Sequence, residues 1–343
     1  MTARYLDRAR LAEACAVLGR NLAVFAPVQR RPGDPPRLEL LPAAGNVTLA
    51  PRKPLVPLKA LFLPDCEEIM TFRRRGGETV VTERPALARD RVVLGALACD
   101  VAALALVDRV MLQDPPDPTW RERRERTAII SLACAGEDET CCCASVGVDP
   151  LRPNGADAVL SPAGDGWLLE SATEKGERIV DALQEVLRAP SAAEIGTARA
   201  LTSSSRKDSP LAGCDRAWAE VWERVPWQGL AARCLGCGVC AALCPTCHCF
   251  EIQDERRGND GARLRAWDTC AAKQYARMAS GENPRAKLEA RIRQRFLHKL
   301  SYFAERYGVI ACVGCGRCAA QCPGATGIEE VARLLALAEA DHG

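Results

Sequence analysis

The sequence predicts an α/β (α+β) domain in its N-terminal half and a mostly α-helical domain in its C-terminal half. Three observations carry this expectation. Residues 91–97 (RVVLGAL) and 127–133 (TAIISLA) are apolar, β-prone runs, and the helical stretch 101–111 between them completes a β-α-β pattern. After residue 213 nearly every segment reads helical. Ten of the 19 cysteines fall in two short stretches of that second half, as loops threaded through helices would place them.

Taken in order, residues 3–19 predict a helix, with Leu6, Leu11 and Val17 among polar positions. Residues 26–60 are rich in proline and turn residues and predict short strands and loops. Residues 157–170 predict a hairpin around Gly164-Asp165-Gly166, and 171–188 an amphipathic helix. Residues 189–213 are small and polar without strong apolar periodicity, so they predict a linker. Helices are expected over 214–225, 264–279, 284–307 and 328–340. The expected organisation is therefore a domain over 1–188, a linker over 189–213 and a second domain over 214–343.

At 343 residues the chain has the length of about two domains, and burial of roughly three quarters of its unfolded surface needs no disulfides. The composition is 48% hydrophobic and 26% charged, with a mean hydropathy of −0.11. No run of about 18 apolar residues exists, so no membrane span is expected. Charges at Arg4, Asp7, Arg8, Arg10, Glu13 and Arg20 leave no apolar core for an export signal. A net charge of +2 supplies no strong field for nucleic acid or an anionic membrane. An odd cysteine count without an export signal argues against a disulfide framework, and in a reducing cytoplasm clustered thiols are metal ligands.

The metal follows from the spacing. Cys234, Cys237, Cys240 and Cys244 with Pro245 form C-x2-C-x2-C-x3-C-P, and Cys312, Cys315, Cys318 and Cys322 with Pro323 repeat it. This is the bacterial ferredoxin run, whose fourth cysteine reaches the other cluster. Three thiolates two residues apart wrap one loop around a cubane, and Gly236, Gly238, Gly314 and Gly316 let backbone N–H groups approach sulfur. One 4Fe-4S cluster is expected on Cys234, Cys237, Cys240 and Cys322, the second on Cys312, Cys315, Cys318 and Cys244, in a dicluster ferredoxin-like domain. Structural zinc, the competing reading, pairs two C-x2-C units over roughly 12–20 residues instead.

An earlier set remains open. Cys99 follows a predicted strand, Cys134 ends another, and Cys141 and Cys143 follow closely, so the four could hold a third cubane at a strand-end crevice. The other reading is a group of buried small thiols. Cys247, Cys249 and Cys270 are expected as packing residues beside the clusters, Cys15, Cys66 and Cys214 as core. His248 and His298 are expected as packed or hydrogen-bonding residues rather than ligands. The basic stretch 285–306 reads as a solvated face, a docking surface for an acidic partner, or an offset to the clusters' negative charge.

Further landmarks surround the first motif: Pro245-Thr-Cys247-His248-Cys249-Phe250, Arg265-Ala-Trp267-Asp268-Thr-Cys270, Glu282-Asn283-Pro284-Arg285 and Arg295-Phe296-Leu-His298-Lys299. Upstream stand Cys99-Asp100, Asp108-Arg109 and Arg123–Arg126. Together, over residues 53 to 335, they resemble the 4Fe-4S dicluster proteins that form the beta subunit of cytosolic sulfhydrogenase, an NADP-linked nickel-iron hydrogenase. The corresponding subunit of anaerobic sulfite reductase is in the same family. The resemblance implies an electron carrier relaying electrons between a hydrogenase module, or a siroheme reductase, and an NAD(P)H-flavin subunit. Two positions depart from the pattern: Glu282 stands where the family shows histidine, and Cys142 where it shows an aromatic residue. The second leaves the ligand choice within Cys141–Cys143 open. No G-x-G-x-x-G follows a strand, no P-loop occurs, and no nickel-site cysteine pattern is present, so a non-catalytic electron-transfer subunit is expected. A nucleic-acid protein stapled by Fe–S or zinc, the alternative from another class, would need a basic aromatic surface, against 5% aromatic residues here.

Overall fold

The computed structural model describes residues 3–31, 33–41, 47–50, 52–135, 139–214 and 222–340. Its strands are β1 (Ala3–Asp7), β2 (Ala23–Val28), β3 (Arg37–Leu40), β4 (Cys66–Arg75), β5 (Glu78–Glu83) and β6 (Arg91–Leu97). They continue with β7 (Thr127–Leu132), β8 (Ala158–Ala163), β9 (Gly166–Ser171), β10 (Phe250–Arg257) and β11 (Asp260–Trp267). The chain forms two compact units. One comprises Met1–Leu58, Arg89–Ala212 and Val313–Gly316; the other comprises Lys59–Ala88, Gly213–Cys312 and Arg317–Gly343.

The first unit is built on a seven-stranded sheet ordered β1-β9-β8-β7-β6-β2-β3. Strands β2, β6, β7 and β8 run parallel, and β1, β9 and β3 pair antiparallel at the flanks. Every residue of β6 and β7 is buried, as expected where a parallel sheet is covered on both faces and its strands read as continuous apolar runs. Helix Ala98–Met111 joins them and buries Val101, Ala103, Leu104 and Val107, the β-α-β unit expected from sequence. The hairpin β8–β9 turns at Gly164-Asp165, also as expected.

The helix expected over 3–19 begins only at Leu11. Residues 3–7 instead form β1, paired with β9 through Tyr5↔Leu168 and Leu6↔Trp167. Tyr5 and Leu6 enter different apolar clusters, so both faces of this short segment are covered, which a strand permits and five residues of pattern cannot announce. The helix expected over 171–188 is shorter, Glu174–Ala182, capped by the Thr173 side chain. Within 189–213, helix Ala192–Arg199 starts at a Ser191/Glu194 capping box, and Ser205, Ser209 and Leu211 are buried. That stretch is anchored, whereas its composition predicts a linker.

The second unit carries an antiparallel sheet ordered β10-β11-β4-β5, which corrects the mostly α-helical expectation. Residues 264–279 are the end of β11 followed by turns, not a helix. The two-residue Gly258-Asn259 loop closes Arg257↔Asp260, with Gly258 at φ +63°, a hairpin signal that helix-prone side chains downstream obscured. Residue Arg265 of β11 lies opposite Glu67 of β4 and forms with it a buried ion pair at 2.5 and 2.8 Å, which ties residues 59–88 to this unit. The helical part comprises Trp227–Arg233, Val239–Ala242, Leu288–Leu297, Phe303–Tyr307, Arg317–Ala320 and Ile328–Ala340, with a π turn over His298–Tyr302. The helix expected over 214–225 falls mostly outside the described residues; Trp222–Arg224 is a single 3-10 turn.

The register between β6 and β7 shifts at Leu94/Ala96, around Gly95 at φ +80°. A Cβ there would lie 2.7 Å from Leu49 Cδ2 and 3.3 Å from Pro27. The bulge lies inside β6, whose pairing resumes at Ala96↔Ser131 and Leu97↔Leu132 before the helix that carries Cys99 begins. Gly95→Ala is expected to destabilise the protein by about 1–3 kcal/mol, read as a lower urea midpoint; an unchanged midpoint would show that the bulge carries no constraint.

Candidate metal centres

The first loop starts where helix Trp227–Arg233 ends at Cys234. Gly236 (φ +65°) and Gly238 (φ +74°) turn the chain through Cys237, and helix Val239–Ala242 carries Cys240. In the second loop, Gly314 (φ +59°) and Gly316 (φ +75°) perform the same turns, and helix Arg317–Ala320 carries Cys318 toward Cys322. Cys234, Cys237, Cys240 and Cys322 line one cavity, together with Leu235, Val239, Leu288, Ile292, Phe296 and Arg295.

Four thiols around an apolar-walled hollow fit a cubane, and backbone donors are in place for it. The Gly236 N–H points at Cys234 Sγ (3.4 Å) and the Thr326 N–H at Cys322 Sγ (3.4 Å). Burial pushes the Cys322 thiol up, but the Thr326 hydroxyl and the N–H groups of Thr326 and Gly324 hold it below its ordinary value. Among the described residues, no group of three or more His, Cys, Asp or Glu is arranged to hold a single metal ion.

The second expected set is distributed differently. Cys244 Sγ lies 3.2 Å from Thr246 Oγ1, and that hydroxyl donates to Ala311 O (2.7 Å), the residue before Cys312. A hydrogen bond from Cys247 holds the Cys244 thiol far below its usual value against the cost of burial, and Lys299 and Arg295 add to it. Cys315 falls within Val313–Gly316 and is buried in the core of the first unit. Its carbonyl accepts from Lys53 Nζ (2.6 Å), which also reaches Cys141 Sγ (3.2 Å). The Cys142 N–H donates to Gly314 O (2.8 Å). The segment 140–143 thus lies directly on the glycines of CVGCGRC: a Cβ on Gly314 would sit 2.5 Å from Cys142 O, and one on Gly316 2.2 Å from Thr140 Oγ1.

Two of the N-terminal cysteines stand at one end of the sheet's central strands. Cys99 stands on the first turn after β6 and Cys134 two residues beyond β7, at the C-terminal ends of adjacent parallel strands, where such sheets place ligands. Cys99 is buried in the same apolar core as Cys315, and Cys134 packs against that core. Cys141 and Cys143 are buried as well, with Cys143 Sγ 3.1 Å from Ser205 Oγ.

Of the readings of the basic stretch, burial excludes a simply solvated face: Arg291, Arg295 and Lys299 are buried cations at i, i+4 and i+8. Lys299 Nζ donates to Thr246 Oγ1 (2.8 Å) and Ala311 O (3.1 Å), and Arg295 Nη2 to Cys240 O (2.8 Å). Lys53, Thr246 and Ser205 had no motif to mark them.

Beside these, Cys249 is hydrogen-bonded by Cys270, which brings its thiol down to about 5 against burial, and His248 and Tyr275 contribute. His248 Nδ1 lies 3.0 Å from Thr246 O, and its ring meets His298 edge-on at 5.6 Å. Burial pushes the His298 imidazole down to about 4, reinforced by His248 and Lys299, so both histidines are packed rather than solvated. Cys15 and Cys214 are buried as expected, whereas Cys66 is exposed at the start of β4.

The family model of the 4Fe-4S dicluster domain matches residues 233–326, the span of both loops. Sulfhydrogenase 2 subunit beta of Pyrococcus furiosus is 35% identical over 242 residues, covering 68% of this chain and 70% of that protein. No helix among the described residues is long and apolar enough to cross a membrane.

The two glycine pairs differ in surroundings. A Cβ on Gly236 or Gly238 would meet only Leu288 or Thr269, each at 3.5 Å, while those on Gly314 and Gly316 would strike backbone. Gly314→Ala is therefore expected to cost more iron per chain and more thermal stability than Gly238→Ala. Equal losses would show that the left-handed φ alone matters at both places.

Proposed function

The chain belongs to the family of the sulfhydrogenase beta subunit, and from that premise we propose that it relays single electrons between a nickel-iron hydrogenase module and an NAD(P)H-flavin subunit. The observation that supports this best is the cavity that collects Cys234, Cys237 and Cys240 from one loop and Cys322 from the other. An interleaved pair of cluster sites suits an electron relay, because it holds two carriers at fixed separation. When bound, each 4Fe-4S cluster takes up and gives back one electron.

The residues of this chain would do the rest. Cys234, Cys237, Cys240 and Cys322 hold the first cluster; Cys312, Cys315, Cys318 and Cys244 hold the second. Val239, Leu288, Ile292 and Phe296 supply an apolar wall, and the Gly236 and Thr326 N–H groups direct positive dipoles at sulfur. We extend the proposal to a third cluster on Cys99, Cys134, Cys141 and Cys143, supported by the place of Cys99 and Cys134 at the C-terminal ends of β6 and β7 and by the burial of Cys141 and Cys143. The proposed setting is a hetero-oligomer in the cytoplasm.

Iron per chain, measured on protein purified without oxygen, is expected at about twelve, four per cubane. About eight would remove the N-terminal cluster, and zinc with almost no iron would sink the whole reading. The crossed ligation has its own test in Cys322→Ser. Redox titration is expected to show the cluster of the first loop perturbed more than that of the second, and the reverse would overturn the assignment.

A further inference from the structure

Arg295 and Lys299 are each 3% exposed, on a chain segment that passes from helix Leu288–Leu297 into the π turn His298–Tyr302. A widened turn of this kind is rare and recurs at functional sites. The guanidinium of Arg295 lines the cavity of Cys234, Cys237, Cys240 and Cys322. One nitrogen, Nη2, donates to Cys240 O, but Nε and Nη1 are buried with no hydrogen-bond partner. Orphaned N–H groups on a buried cation carry a large desolvation penalty, and in this cavity sulfur is the natural acceptor for them.

The two cations stand at different places. Arg295 lines the cavity and is hydrogen-bonded to Cys240 O; burial alone would push its guanidinium down, yet neighbouring thiols, Cys240 first, raise it. The Lys299 ammonium, also opposed by burial, is raised by Cys244, Cys247 and Cys312. Its hydrogen bonds to Thr246 Oγ1, which lies against Cys244 Sγ, and to Ala311 O, the residue before Cys312, fix it there.

Resting on the cluster assignment proposed above, we infer that Arg295 and Lys299 are positioning residues for electron transfer: Arg295 sets the reduction potential of the cluster on Cys234, Cys237, Cys240 and Cys322, and Lys299 that of the cluster on Cys244 and Cys312. Reduction adds one negative charge to a cluster already negative through its thiolates. A buried cation favours the reduced form, so removing it drives the potential more negative.

The test is EPR-monitored redox titration of the full chain, purified without oxygen, as wild type, Arg295→Gln, Arg295→Lys and Lys299→Gln, with iron measured for each. Arg295→Gln is expected to lower the reduced-to-oxidised ratio of the cluster on Cys234, Cys237, Cys240 and Cys322 about tenfold or more at a fixed applied potential, equivalent to 59 mV for one electron. Lys299→Gln is expected to lower it for the other cluster only, and Arg295→Lys to restore most of the wild-type values. Unchanged potentials in Arg295→Gln at full iron content overturn the inference, as does an equal effect of Lys299→Gln on both clusters. If Arg295→Gln loses its iron, Arg295→Lys decides: full iron with both potentials near wild type supports the charge role. Loss of iron there too makes Arg295 a scaffold residue and overturns it. Wild-type protein without any 4Fe-4S signal would instead overturn the cluster assignment itself.

Discussion

A buried thiolate is costly unless a positive charge or a donor meets it, and much of the second unit is arranged around that constraint. Cys240 lies within the field of Arg295, and Cys244 within those of Lys299 and Arg295, cations that would themselves be costly at such depth. The arrangement explains why a helix beginning at Leu288 turns Arg295 and Lys299 inward, while Arg291, also buried, is held by the carbonyls of Ala271, Arg285 and Ala286. It also explains the Thr246 hydroxyl, which receives Lys299 and lies against Cys244, linking the end of the first loop to Ala311 at the start of the second.

The two loops share one string of cysteines and glycines but use it differently. Around Cys234–Cys240 the glycines have space beside them, and the loop borders a cavity. Around Cys312–Cys318 the glycines are pressed against residues 140–143 by backbone contacts and by the Cys142 to Gly314 hydrogen bond. Residues 313–316 are accordingly part of the first unit's core, where Val313 and Cys315 pack with Cys99 and Leu132. Close approach of backbone to backbone, and not turn geometry alone, makes Gly314 and Gly316 necessary.

The sheet of the first unit arranges the remaining cysteines through the direction of its strands. Because β6 and β7 are parallel neighbours, the residues just beyond them, Cys99 and Cys134, come out at the same end. β6 gives way to the helix bearing Cys99 directly after Leu97. Lys53, with Cys141 and the Cys315 carbonyl as partners, brings positive charge into the same neighbourhood.

Sequence alone determined what depends on neighbours along the chain. Strands β6 and β7, the β8–β9 hairpin, the helix between β6 and β7 and the two C-x2-C-x2-C-x3-C-P loops are all local patterns. Ferredoxin spacing carries the fourth cysteine out of its own loop, and Cys322 lines the cavity of Cys234, Cys237 and Cys240. Tertiary structure decided the rest. Residues 3–7 became a strand because β9 offered an edge and both faces of Tyr5-Leu6 found cover. Residues 260–267 became a strand because β4 offered Glu67 to Arg265. The basic stretch after Leu288 turned Arg295 and Lys299 inward because thiols distant in sequence supply the charge that lets them be buried. Strand pairing and charge burial both depend on partners far along the chain, and spacing within a segment does not encode them.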